Sequence, residues 1–154
     1  MKPKQEHAPL NILLADDDID DRFFFDKILK EIPITNHLTT VNNGEQLMNY
    51  LIENSEHLPD VLFLDLSMPL KTGFECLSEI KENKKLKALS VIMFSTSYPQ
   101  DLKYELNIMK ILYDIGVQDY IRKPNDFAKL KQIIHNALIK VIGKNIANEH
   151  GKSL

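Results

Sequence analysis

Apolar residues fall in five short runs along the chain. Three of them are unbroken: 12–15 (ILLA), 61–64 (VLFL) and 91–94 (VIMF). A strand covered on both faces has no polar side to alternate with, so such runs predict the buried strands of a parallel sheet. The runs at 38–41 and 120–121 are weaker and more polar, and predict edge strands. Between the runs the apolar spacing becomes helical. Phe24, Ile28 and Ile32 recur at i+4, with Phe25 and Leu29 beside them. Asn43 with Gln46 is a loose capping-box signal before Leu47, Met48 and Leu51. Thr72 with Glu75 is a better one, opening a helix with Phe74, Leu77 and Ile80. Leu102, Leu106, Met109 and Leu112 form a fourth stripe closed by Gly116, and Asn125 or Asp126 caps a last helix reaching about Asn145. Five alternations of strand and helix predict an α/β fold: a doubly wound five-stranded parallel sheet joined by right-handed crossovers. The whole chain, 1–154, reads as one domain with a core over roughly 10–142. Polar ends, 1–8 and roughly the last six to eight residues, are expected to fray.

Composition narrows the class without naming a function. Of 154 residues, 44% are hydrophobic and 27% charged, an ordinary globular balance. A net charge of −3 with no basic cluster argues against nucleic-acid binding by bulk charge. Cys76 is the only cysteine, so an internal disulfide or a cysteine zinc site is excluded. The first ten residues are polar and carry Pro3 and Pro9, unlike a signal peptide, and no apolar run is long enough to cross a bilayer. A cytoplasmic protein with no membrane or nucleic-acid partner is the expectation.

Ligands of open α/β sheets bind where the strands end. After ILLA come Asp16, Asp17 and Asp18; after VLFL, Asp65; after VIMF, Ser95 and Thr96; after Tyr120-Ile121-Arg122, Lys123 and Pro124. One sheet edge thus collects carboxylates, two hydroxyls and a lysine. Carboxylates this close repel, and a hard divalent cation relieves the repulsion. Mg²⁺ (or Mn²⁺) suits an all-oxygen donor set, and no nearby His or Cys points to zinc. A carboxylate beside such a cation is a competent nucleophile toward phosphorus, and a lysine and a hydroxyl suit the phosphoryl oxygens. Asp18, Asp20 and Asp21 read better as a solvated turn and helix cap.

The segments NILLADDDIDD, VLFLDLSMP, VIMFSTS and DYIRKPN together resemble the response-regulator receiver family, in its order and near its spacing, over roughly 10–142. The resemblance implies a flavodoxin-like sheet of strand order 2-1-3-4-5. It implies Asp65 as phosphoacceptor and Asp16, Asp17, Asp65 and the Ser67 backbone carbonyl as metal ligands. Lys123, Ser95 and Thr96 would bind phosphate, Ser95 and Tyr120 would form the switch, and Pro124 would be a candidate cis-proline. It also implies a stand-alone switch of the chemotaxis-regulator type: a sensor histidine kinase or histidine phosphotransfer protein donates, and a downstream protein or a homodimer through the fourth and fifth helices reads the result. Such a protein is a phosphoacceptor and not an enzyme. Short, neutral Ser67 and Ser97, with bulky Thr96, imply slow loss of the phosphoryl group. One departure is a stretch from Ser95 to Gly116 about six residues longer than usual, placed within 104–110 as an extended or bent fourth helix.

Three rival readings fit the sequence less well. An aspartate-nucleophile phosphatase of the haloacid-dehalogenase type wants an acid two residues after its nucleophile, where Ser67 stands. A flavodoxin wants a Ser/Thr/Gly-rich phosphate loop after the first strand, where three carboxylates stand. A receiver-like scaffold that works without phosphorylation is opposed by the intact acidic set and Lys123.

Overall fold

The computed structural model describes residues 8–95 and 102–152. Its elements alternate strictly: β1 (Leu10–Ala15), α1 (Ile19–Glu31), β2 (Asn36–Val41), α2 (Gly44–Glu53), β3 (Val61–Leu64), α3 (Gly73–Glu82), β4 (Val91–Ser95), α4 (Leu102–Ile115), β5 (Asp119–Arg122) and α5 (Phe127–Lys152). The strands form one parallel sheet in the order β2-β1-β3-β4-β5. Successive strand residues point to opposite faces, and both faces are dry. Leu13, Leu62, Leu64 and Met93 meet α2, α3 and α4 through Leu47, Leu77 and Leu112. Ile12, Leu14, Phe63 and Phe94 meet α1 and α5 through Phe25, Ile28, Ile134 and Leu138. This two-sided burial is why three strands carry no polar alternation.

The strands lie where the apolar runs predict them, with β1 and β2 each starting two residues earlier because Leu10 and Asn36 already pair. The helix faces differ in two places. In α1 the inward stripe is Phe25, Ile28, Leu29 and Ile32, while Phe24 is 46% exposed. The two stripes differ by one residue, about 100° around a helix, and the one with more apolar members faces the sheet. In α4 the inward positions are Glu105, Ile108, Leu112 and Ile115; of the expected stripe Leu112 is buried, Met109 half-buried and Leu106 exposed. A glutamate takes an inward position there because side chains of β5 satisfy it. The helix runs unbroken through 104–110. Gly116, at φ +123°, closes it, and Val117 N–H reaches back to the Leu112 carbonyl.

Asp126, rather than Asn125, caps α5, accepting from the amides of Ala128 and Lys129. The last helix continues past Asn145 to Lys152. Just before that extension, two hydrogen bonds tie the helix to the sheet's far edge: Asn145 Nδ2 donates to Asp60 (3.4 Å) and Lys144 Nζ to Gln118 (3.2 Å). No helix among the described residues is long and apolar enough to cross a membrane.

The β3–α3 connection brings the helix start onto the strand end. A Cβ at Gly73 would lie 2.4 Å from the Asp65 carbonyl oxygen, inside van der Waals contact. Gly73→Ala is therefore expected to destabilise the fold by about 2 kcal/mol, as overpacking does, and to displace Asp65. Urea unfolding of the variant checks the first effect, and weakened divalent-cation binding the second.

Candidate metal and phosphoryl site

Strand register builds the site. Ala15 pairs Leu64, and the Asp65 amide donates to the Ala15 carbonyl at 2.9 Å, so the next residues, Asp16 and Asp65, stand side by side. Ser95 pairs Arg122, and the Lys123 amide donates to the Ser95 carbonyl at 2.8 Å, which delivers Lys123 to the same edge from the far side of β4.

Carboxylate oxygens of Asp16, Asp17 and Asp65 lie within 4.8 Å of one another. Asp16 and Asp65 are buried, 1% and 7% exposed, and Asp17 is open to solvent. Lys123 Nζ donates to Asp16 at 2.7 Å and to Asp21 at 3.0 Å. The same ammonium lies 4.7 Å from the centre of the Phe94 ring, a cation–π contact that keeps it over the cluster. Asp16 also accepts from the Asp18 amide (2.9 Å), and its carbonyl accepts from Arg22 (2.7 Å). The Ser67 amide donates to Asp65 Oδ1 at 3.3 Å.

Burial pushes the Asp65 carboxyl up to about 7; Lys123 opposes this, Asp16 adds to it, the Ser67 amide opposes it and Asp17 adds a little. Burial also raises Asp16, against the pull of Lys123. Burial alone would lower Lys123, but Asp16, Asp65 and Asp21 outweigh it and hold the ammonium above its ordinary value. Three carboxylates around one lysine leave excess negative charge in a low-dielectric place. That excess is what a divalent cation neutralises, and an all-oxygen set fits Mg²⁺ or Mn²⁺.

Most of the expected residues therefore converge: Asp16, Asp17, Asp65, Lys123 and, through its amide, Ser67. Ser95 is buried at the end of β4. The Tyr120 hydroxyl donates to Glu105 of α4 at 3.5 Å. Thr96 and Ser97 lie outside the described residues. Pro124 is a correction: among the described residues every peptide bond is trans. Lys123 already reaches both carboxylates with the default isomer, so no cis bond is needed to aim it.

Asp18 caps α1, as the turn reading has it, accepting from the amides of Asp20 and Asp21. Asp21, assigned to the same solvated turn, instead belongs to the site. It stands in the first turn of α1, where Lys123 reaches it from another element, and no local pattern announces that contact. Phe94 was read only as a strand residue, though it is also the seat of the lysine.

Known proteins resemble this chain. A family model described as the response regulator receiver domain matches residues 12–135. The chain belongs to that family. It is thus a receiver domain of two-component signalling. Response regulator Rcp1 of Synechocystis is 32% identical over 111 residues, covering 68% of this chain and 76% of that protein. Among solved structures, the phosphorylated cyanobacterial phytochrome response regulator RcpA superposes with a TM-score of 0.72 at 32% identity, covering 84% of this receiver and 91% of that chain. The Mn²⁺-bound form of Rcp1 gives 0.71 at 28% identity over 83% and 91%. A divalent metal is thus bound within the family.

Proposed function

We propose that this receiver takes a phosphoryl group on Asp65 from a phosphohistidine partner, with Mg²⁺, and signals the event by protein–protein contact. The single observation that carries the reading is the cation-deficient cluster of buried Asp16 and Asp65 and exposed Asp17, with one lysine over it. Asp16, Asp17, Asp65 and the Ser67 carbonyl would hold the metal. When bound, Mg²⁺ supplies charge neutralisation for the phosphoryl oxygens.

In this reading an Asp65 carboxylate oxygen attacks phosphorus in line. The bond to the donor's imidazole nitrogen breaks, and that nitrogen leaves with the electron pair. Lys123 turns from Asp16 to the transferred oxygens, Ser95 donates its hydroxyl to them with Thr96 alongside, and Tyr120 moves inward behind Ser95. The output surface is the α4–α5 side, where Tyr104, Leu106, Ile111 and Tyr113 of α4 are exposed, toward a downstream protein or a second copy of the chain. The domain then acts as phosphoacceptor and not as a turnover catalyst, and 1–154 serves as one switch unit.

Acetyl phosphate should add one phosphoryl group to the wild-type chain in Mg²⁺ and none in EDTA, read by intact mass. Labelling that ignores the metal would defeat the proposal.

A further inference from the structure

Besides the Lys123 side chain, four polar or charged residues are buried among the described residues, and three of them, Asp16, Asp65 and Ser95, belong to the site above. The fourth is Glu105, 8% exposed, in the first turn of α4. A carboxylate withdrawn from water persists only where partners meet it. Two partners come from β5. The Tyr120 hydroxyl donates to Glu105 Oε1 at 3.5 Å, and Arg122 Nη1 lies 3.8 Å from Oε2. Tyr120 and Arg122 are two residues apart on an edge strand, so they share the face that α4 covers. Arg122 is in turn the register partner of Ser95, and the Lys123 amide is bonded to the Ser95 carbonyl. Glu105 therefore grips the short strand that leads straight back to the lysine and hydroxyl of the site.

We propose that Glu105 is the positioning residue of the switch: it holds Tyr120, and with it the start of α4, in the resting arrangement. The inference rests on the Asp65 reading above. Inward movement of Tyr120 breaks its bond to Glu105, so that bond favours the resting state alone. Removing it shifts the equilibrium toward the phosphorylated shape, and linkage then tightens any phosphoryl mimic at Asp65.

The experiment uses the full chain labelled with 3-fluorotyrosine, with beryllofluoride as probe at constant Mg²⁺. Glu105→Ala should tighten beryllofluoride about fivefold, the worth of one ordinary hydrogen bond. Its Tyr120 fluorine resonance, assigned by its loss in Tyr120→Phe, should move toward the liganded position before any ligand is added. Glu105→Gln keeps an acceptor for the hydroxyl and should stay within about twofold of wild type. Tyr120→Phe should tighten the mimic as Glu105→Ala does, and the double variant should add nothing further. Unchanged or weaker affinity in Glu105→Ala, with an unmoved resonance, overturns the proposal. If Glu105→Ala does not fold, Tyr120→Phe decides alone, and failure to tighten overturns it equally. A wild type that does not bind beryllofluoride removes the Asp65 reading as well. A wild type that binds, with variants that do not respond, removes only the role of Glu105.

Discussion

Asp65→Asn is expected to make the metal-free protein more stable, not less, at about pH 8. The Asp65 carboxyl is held up to about 7 by burial, with Asp16 and Asp17 adding to it against Lys123 and the Ser67 amide. Its ordinary value in an unfolded chain is 3.8. The folded state therefore binds more protons than the unfolded state between those two values, and stability falls as pH rises through the window. Well above 7 the penalty is complete, on the order of 4 kcal/mol, or roughly 12 °C in the thermal midpoint. An amide of similar shape escapes it. The midpoint of Asp65→Asn should exceed that of wild type at pH 8 in EDTA, and the gap should close toward pH 4. Added Mg²⁺ should raise the wild-type midpoint and raise the variant's less. Thermal melts across that pH range check both statements; a pH-independent gap, or a less stable variant, would contradict the electrostatic account of the site.

Lys123→Met should have the opposite sign. Its side chain is 6% exposed and pairs with Asp16, which is 1% exposed, and with Asp21. Methionine can fill the stem's place over Phe94, but it leaves a buried carboxylate with no cation. Removing one partner of a buried pair costs about 3–5 kcal/mol, far more than a surface pair is worth. The loss should be present at neutral pH. Lys123 is held above its ordinary 10.5, so its contribution is complete below that value and fades only as pH rises beyond it. Asp16→Asn combined with Lys123→Met should cost much less than the sum of the two, because the second change removes the charge that the first stranded. Urea unfolding of the two single variants and the double variant measures this coupling. Additive losses would mean that Lys123 is an ordinary surface lysine.

The same comparison of charge and burial explains what the sequence discloses and what it does not. A strand buried on both faces must be apolar throughout, so 61–64 is read directly, and so is the Asp65 that follows it. A parallel register then fixes which strand ends are neighbours, so Asp16, Asp65 and Lys123 could be placed together without coordinates. Side chains of amphipathic helices are less legible. Phe24 and Phe25 are equivalent in composition, and only packing chooses the inward one. The phase of α4 was misread because Glu105 looks like a surface residue, and its partners Tyr120 and Arg122 lie on another element. Asp21 was set aside because a run of aspartates before a helix is usually a cap, and Asp18 does serve as one. The tethers of α5, Asn145 to Asp60 and Lys144 to Gln118, are long-range hydrogen bonds that no local pattern announces.

The central claim is that Asp65 itself receives the phosphoryl group. An aspartyl phosphate is an acyl phosphate, and borohydride reduces it to the alcohol while leaving free carboxylates alone. Wild-type protein treated with acetyl phosphate and Mg²⁺, reduced, digested and mapped by mass spectrometry should carry homoserine at position 65 and at no other aspartate. Homoserine at Asp16 or Asp17, or none at 65 when intact mass shows a phosphoryl group, would contradict the account.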